Sequence, residues 1–391
     1  MKSPKKLLKK PARKKIVIVG PAYPLRGGIA HYVSLLYQHL AKRHNVEIVT
    51  FSRQYPKLFF PGKSQEEPES DTVEIPTERL IDSLNPLSWI STAREIAHRH
   101  PDLVIFTYWL PAFGPCFGTV AALIRRWSDA KIIFICHNVI PHEHRPGDIL
   151  FTRFAFRYAD FFIPLSHVVA RDLTLLRPGA PHSVVPLPVY ESFGGGLAKS
   201  SARKSLGIRQ KRVLLFFGVV RKYKGLTTLL SALPHVLKTM NVHLFVVGEF
   251  YENESIYRKQ IDALRLAEHV TVVPEYVPRS RVAQYFSACD VVILPYWSAT
   301  QSAIVQIAYQ FNKPVIVTDV GGISEVVRDG ITGLVVPAQD TGSLANAIVR
   351  FYTKKMEPRL TRNVKKEKNH YSWNAMVRAI EVFLQGAKVN K

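Results

Sequence analysis

The sequence predicts an α/β protein made of two doubly wound, Rossmann-like domains, and three observations lead there. Short apolar runs, each ending in glycine or a polar loop, alternate with amphipathic helical stretches. That alternation stops once, in the Pro- and Gly-rich run PLPVYESFGGGLAKS at 186–200, and then resumes. At 391 residues the chain exceeds one ordinary core and suits two.

The first strand is Lys15–Gly20, KIVIVG. A loop containing Gly27 and Gly28 feeds a helix whose Ile29, Val33, Leu36 and Leu40 share one face. Val46–Phe51 is a second strand, and residues 54–78, rich in Pro, Gly, Ser and Glu, read as a long surface loop. Strands at Leu103–Thr107 and Lys131–Cys136 bracket a helix near Phe117–Trp127. Asp160–Leu165 is another strand, ahead of a helix carrying Val169 and Leu173. Beyond the break come Val213–Gly218, His243–Gly248, Val270–Val273, Val291–Leu294, Pro314–Thr318 and Gly333–Val336, all read as strands. The expected division is a basic tail at 1–14, domains at 15–190 and 205–370, a linker at 191–204 and a C-terminal helix in 371–391. That helix, YSWNAMVRAIEVFLQ, places Trp373, Met376, Ile380 and Phe383 on one side.

Bulk properties narrow the function. No apolar run approaches the roughly 20 residues of a membrane span, and the N-terminus lacks an apolar core of signal-peptide length. Cys116, Cys136 and Cys289 are too few and too scattered for a disulfide framework or a zinc site, which fits a reducing, cytoplasmic setting. Lys and Arg number 53 against 30 Asp and Glu, a net charge of +23. The densest cluster is MKSPKKLLKKPARKK, read either as a solubilising extension or as adhesion to an anionic inner membrane face. No helix-turn-helix, zinc-finger or RNA-recognition pattern accompanies the charge, so no nucleic-acid partner is expected.

The most informative stretch is Pro295–Pro337, PYWSATQSAIVQIAYQFNKPVIVTDVGGISEVVRDGITGLVVP. Two of its loops open onto helix N-termini at one sheet edge, where unpaired amides and the helix dipole suit phosphate or sugar hydroxyls. The amides of Gln301, Ser302 and Ala303 can do this without side chains. Gly20 stands alone and the Gly27-Gly28 pair follows seven residues on, so the G-x-G-x-x-G of NAD or FAD folds is missing. The pair permits close backbone approach to a phosphate or sugar, or else serves a helix start of unusual φ. His137 follows an apolar strand, at the edge where such sheets bind ligands; the alternative is a structural histidine bonded at the strand end. His142, Glu143 and His144 lack the paired spacing of a metal cage. In VLLFFGVVRKYKG, a basic loop between strand and helix offers Arg221 and Lys224 to a diphosphate, with Lys222 left to solvent, against the alternative of a solvated turn.

These pieces in this order resemble the GT-B glycosyltransferases of family 4, closely over 205–385 and more loosely over 15–190. The resemblance implies two Rossmann-like domains facing across a cleft and a terminal helix that crosses back to the first; a helix capping its own domain is the alternative. It implies a retaining transfer from a nucleotide-diphosphate sugar to a glycan or lipid-linked acceptor in polysaccharide or glycolipid synthesis. Neither a metal nor a cofactor besides the donor is expected. Gly27 and Gly28 then meet the diphosphate and acceptor, His137 lies near the sugar, and Lys224 and Arg221 hold the diphosphate. Tyr276 and Val277 fall where backbone faces the base, while Glu249 takes a position the family leaves variable. The family's two glutamates, eight positions apart, fall on Ser298 and Gln306. Gln306 can still bond a ribose diol, and the sugar contact can move from Ser298 to Thr300 or Gln301. Glu325, in Gly321-Gly322-x-x-Glu, either caps a helix or touches ligand. The competing reading is a degenerate nucleotide-sugar-binding or scaffolding protein that lost catalysis with those glutamates. An epimerase or hydrolase would need a pair of acids at the cleft.

Overall fold

The computed structural model describes residues 12–56, 60, 62–67, 75–141 and 145–386. Most of the basic tail and the His142–His144 triplet lie outside them. Two parallel sheets of six strands each carry the chain. The first contains β1 (Lys15–Val19), β2 (Asn45–Arg53), β3 (Thr77–Asp82), β4 (Leu103–Tyr108), β5 (Lys131–Cys136) and β6 (Phe161–Pro164). The second contains β7 (Val213–Phe217), β8 (His243–Val247), β9 (Val270–Val273), β10 (Val291–Leu294), β11 (Val315–Thr318) and β12 (Gly333–Val336).

Strand order is β3-β2-β1-β4-β5-β6 in the first sheet and β12-β11-β10-β7-β8-β9 in the second, the same doubly wound order twice. Order reverses between β1 and β4, and between β10 and β7. In such sheets ligands bind beyond the carboxyl ends of the strands at that reversal. The loops singled out by sequence, after β1, β7 and β10, leave from these two points.

Most strands are covered on both faces, which is why they read as unbroken apolar runs; the edge strand β3, TERLID, with Glu78 and Arg79 exposed, does not. Ile16 and Ile18 of β1 join a core shared with the second half, whereas Val17 and Val19 join one confined to the first half. Val213 and Leu215 of β7 face the shared core, and Leu214 and Phe216 the outer core of the second half. This is the period of two expected of a strand, hidden because both sides are buried.

The helices α1 (Gly28–Leu40), α2 (Pro86–His98), α3 (Gly114–Trp127), α4 (Asp148–Phe156) and α5 (His167–Leu176) serve the first half. Two stretches differ from expectation. The presumed surface loop at 54–78 contains the start of β3, and its residues Lys63 and Glu67 reach the second half. Helix α6 (Lys199–Ser205) occupies part of the aperiodic linker and is anchored by Arg203, whose guanidinium reaches the buried Asp290 at 2.8 Å. Helices α7 (Leu226–Leu237), α8 (Glu254–Ala263), α9 (Arg279–Ala288), α10 (Ala303–Gln310), α11 (Ile323–Val326), α12 (Thr341–Thr353) and α13 (Glu357–Glu367) complete the second half. Helix α14 (Trp373–Leu384) lies against α1 of the first half. Trp373 donates its indole proton to Val189 O at 2.9 Å, and Glu381 accepts from Arg43 at 3.0 Å.

Candidate functional site

The two sheets face each other across a cleft of about 380 Å³, within the range of small-molecule sites. The first half contributes Gly27, Gly28 and His137, and the second contributes Lys224 and the run Thr300–Ala303. A methyl built on Gly28 would lie 3.9 Å from Ala303 Cβ, so the two loops confront each other. Gly27 has φ 114°, a conformation that favours glycine. The phenol of Tyr190 donates to Gly28 O at 3.1 Å and fixes this loop from below.

The basic loop after β7 turns through residues 222–224 into Gly225, which is left-handed at φ 67°. Any Cβ there would strike Pro295 O, so glycine lets this loop nest against the loop after β10. Trp297 N donates to Tyr223 O at 2.6 Å and ties the two together. Lys224 Nζ sits 5.6 Å above the Tyr296 ring. Burial, with the nearby Arg221 charge, lowers its ammonium to about 8. Arg221 itself turns its guanidinium over Tyr251, 5.3 Å from the ring centroid, and is not part of the cleft wall. Lys222 is exposed, as expected.

His137 leaves β5 with its backbone N–H donating to Tyr108 O at 2.8 Å. Its ring packs edge-on against Tyr32, centroids 4.7 Å apart. Burial lowers its pKa to about 3, so the imidazole is neutral at ordinary pH. The amide of Gln301 lies 3.3 Å from Nδ1; if Nδ1 accepts there, Nε2 carries the proton. Both His137 Nε2 and Gln301 Oε1 are buried without a partner among the described residues. The imidazole N–H and the amide oxygen are thus a donor and an acceptor with spare bonding capacity on two residues that both line the cleft.

The remaining predicted positions divide. Thr300 lines the cleft, but its hydroxyl is committed to Asn138 Oδ1 and its carbonyl accepts from Ser166 Oγ at 3.0 Å. Ser302 caps α10, accepting from Ile304 N at 3.2 Å. Ser298 is exposed and lies off the cleft wall. Gln306, almost fully buried, borders a separate hollow of about 120 Å³ between α10 and the start of α5. From there its side chain does not line the main cleft, in contrast with the ribose contact that the sequence suggested. Glu325 resolves toward capping: His167 N and Val168 N donate to its two oxygens at 2.8 and 3.1 Å, so it caps α5 of the opposite half.

Sequence reasoning missed how the rim is held. Arg26 reaches Glu249 across the cleft at 2.5 Å, both nearly buried, and Lys63 N donates to the other oxygen at 2.6 Å. The Arg26 guanidinium also lies 4.7 Å from the centroid of Tyr276, whose phenol is bonded to Glu67. Arg26 stands just before the glycine pair, but nothing in spacing joins it to a residue more than 200 positions away. The two buried acids of the rim are therefore engaged in pairs and do not form a free acid couple. Among the described residues no group of three or more His, Cys, Asp or Glu is arranged around a metal position.

The family model for "Glycosyl transferases group 1" matches residues 211–354, and that for a "Glycosyl transferase 4-like domain" matches 27–189. The D-inositol 3-phosphate glycosyltransferase of Mycobacterium marinum is 31% identical over 360 residues, 82% of this chain and 72% of that protein. The chain belongs to the group 1 glycosyltransferases. A putative teichuronic acid biosynthesis glycosyltransferase of Bacillus subtilis, TuaC, is 26% identical over 68% of this chain and 67% of its own. Among solved structures, sucrose-phosphate synthase of Thermosynechococcus elongatus superposes with a TM-score of 0.76 at 20% identity, covering 96% of this chain and 99% of its own. Anabaena HepE, in complex with UDP and glucose, superposes at 0.75 and 19% identity over 96% of this chain and all of its own. These place the fold of this glycosyltransferase among GT-B proteins.

Proposed function

We propose that this glycosyltransferase moves a sugar from a nucleotide-diphosphate donor to a glycan or lipid-linked acceptor, with retention of anomeric configuration. One observation carries the reading: the glycine pair, the Lys224 loop and the start of α10 converge on one cleft from both topological reversals. Lys224 meets the diphosphate, with the amides of Gln301, Ser302 and Ala303 as further donors. Arg221 joins by swinging from Tyr251. The unpaired atoms of His137 and Gln301 take a sugar hydroxyl, which assigns to Gln301 a contact the family gives to an acid. The HepE complex, with UDP and glucose bound in the same fold, supports a donor of this class.

In the reaction the C1–O bond to the diphosphate breaks as the acceptor oxygen bonds C1 on the same face, and the acceptor's proton passes to a departing phosphate oxygen. The protein's part is to position both partners and stabilise charge on the leaving diphosphate. His137, neutral, donates a hydrogen bond and moves no proton. The reading needs no metal, because Lys224 and Arg221 supply the positive charge. Synthesis of a surface polysaccharide or glycolipid, at an anionic membrane face, suits the net charge of +23.

The test is turnover of UDP-, GDP-, ADP- and dTDP-sugars with the product anomer read by NMR. Transfer or slow hydrolysis of one donor with retention is expected. Inversion would overturn the mechanism, and donor binding with no turnover of any kind would favour the degenerate binding protein that the missing glutamates also suggest.

A further inference from the structure

We propose that the outer face formed by α4 and the first turn of α2 docks on a bilayer containing anionic lipid and brings the cleft mouth to it. The proposal rests on the lipid-linked acceptor of the preceding section but arises from a different part of the molecule. Helix α4 buries Thr152, Ala155 and Phe156 and turns its other side to solvent. On that side Leu150 is 68% exposed and is followed at helical spacing by the exposed Arg153 and Arg157, with Phe154, 37% exposed, leaning on Gly118 of α3. Next to it, across α3, Leu84 and Leu87 project at the start of α2, Leu87 being 74% exposed. Large apolar side chains left in water in such number ordinarily mark an interaction surface.

The chemistry selects the occupant. Leucine and phenylalanine alternating with arginine along one helical stripe suit the boundary of acyl chains and phosphate headgroups, where apolar tips insert and guanidinium groups stay with the phosphates. A second copy of the chain would bring these arginines against one another. A nucleic acid would leave Leu150 and Leu87 without partners. Asp148, the acid of this helix, is engaged by Arg145 N at 2.7 Å and sits at the positive end of the helix dipole.

Position gives the surface a purpose. In a parallel sheet each crossover helix starts at the carboxyl edge, so α2 and α4 both begin at the edge that opens on the cleft. Helix α4 is also the next helix after His137 in the chain. An acceptor anchored in the bilayer would thus meet the glycine loop and His137 without leaving the membrane.

Sedimentation of the full-length protein with phosphatidylglycerol–phosphatidylcholine vesicles, and with phosphatidylcholine alone, tests this. Three variants are compared: Leu150→Ser with Phe154→Ser, Arg153→Glu with Arg157→Glu, and Ile256→Ser, an exposed apolar control on α8 of the second half. Binding to anionic vesicles is expected to fall about tenfold in each double variant and to be unchanged in the control. The same differences are expected after removal of residues 1–11, which separates this face from the basic tail. Wild-type vesicle binding by both double variants would overturn the proposal, as would equal affinity for phosphatidylcholine alone. Stabilisation by donor sugar, measured on the same samples, should be unchanged throughout. Loss of vesicle binding alone therefore bears on this face, and absence of a donor response in the wild type bears on the enzymatic reading.

Discussion

Lys224 is the residue on which the site's electrostatics turn. Its pKa of about 8, against an ordinary 10.4, means that the unfolded chain binds more protons between those values. The free protein therefore gains stability as pH rises through that window, and below pH 8 it carries a poorly solvated cation waiting for an anion. In the proposed binding mode a nucleoside diphosphate needs the charged form. Affinity should hold below pH 8 and weaken above it, up to about tenfold per pH unit, and Lys224→Arg should abolish that dependence. Titration of nucleoside diphosphate across pH 7–10 checks both. His137 has the opposite character. Held neutral down to about pH 3, it should leave the rate flat between pH 5 and 7, where an ordinary histidine titrates. His137→Ala is expected to lower turnover roughly a hundredfold, the scale of one lost transition-state hydrogen bond, while diphosphate affinity stays within about twofold.

At the scale of elements, each loop is held by a neighbour that sequence spacing does not reveal. Gly225→Ala would force a Cβ into Pro295 O at a left-handed φ and should cost about 2 kcal/mol or more, with weaker donor binding because the Lys224 loop shifts. Denaturant titration and donor affinity would show the two effects together. Glu325→Ala should cost about 0.5–1 kcal/mol, the value of an exposed helix cap, and leave donor affinity unchanged. Strands buried on both faces were legible as continuous apolar runs, and β5, β9, β10 and β12 begin and end where the sequence put them; the edge strand β3, TERLID, with Glu78 and Arg79 exposed, was not. Helix α4 escaped notice because its exposed Ile149, Leu150, Phe151 and Phe154 blur the amphipathic period. The glycine loop, His137 and Lys224 were legible because each lies in a segment that leaves the carboxyl end of a strand. The aim of Gln306 toward a second hollow was not, since it depends on how α10 sits against the start of α5, nor was the exposure of Ser298 in the loop before α10.

Across the whole molecule, the two halves are joined at both ends of the cleft. On one side α14 seats Trp373 in the shared core; on the other Arg26 meets Glu249. Arg26→Met or Glu249→Gln alone leaves a buried charge unpaired and should cost about 3–5 kcal/mol, whereas the double variant should recover much of that loss. A double-mutant cycle by equilibrium unfolding checks the pairing, and additive losses would deny it. The central claim is that the cleft between the halves holds a nucleotide-diphosphate sugar through Lys224. Thermal shift with the four donor classes, on wild type and on Lys224→Ala, addresses it most directly. One donor at 100 times its dissociation constant should stabilise the wild type by about 2.7 kcal/mol, and the variant should lose most of that gain. No shift with any donor, or an equal shift in the variant, would contradict the claim.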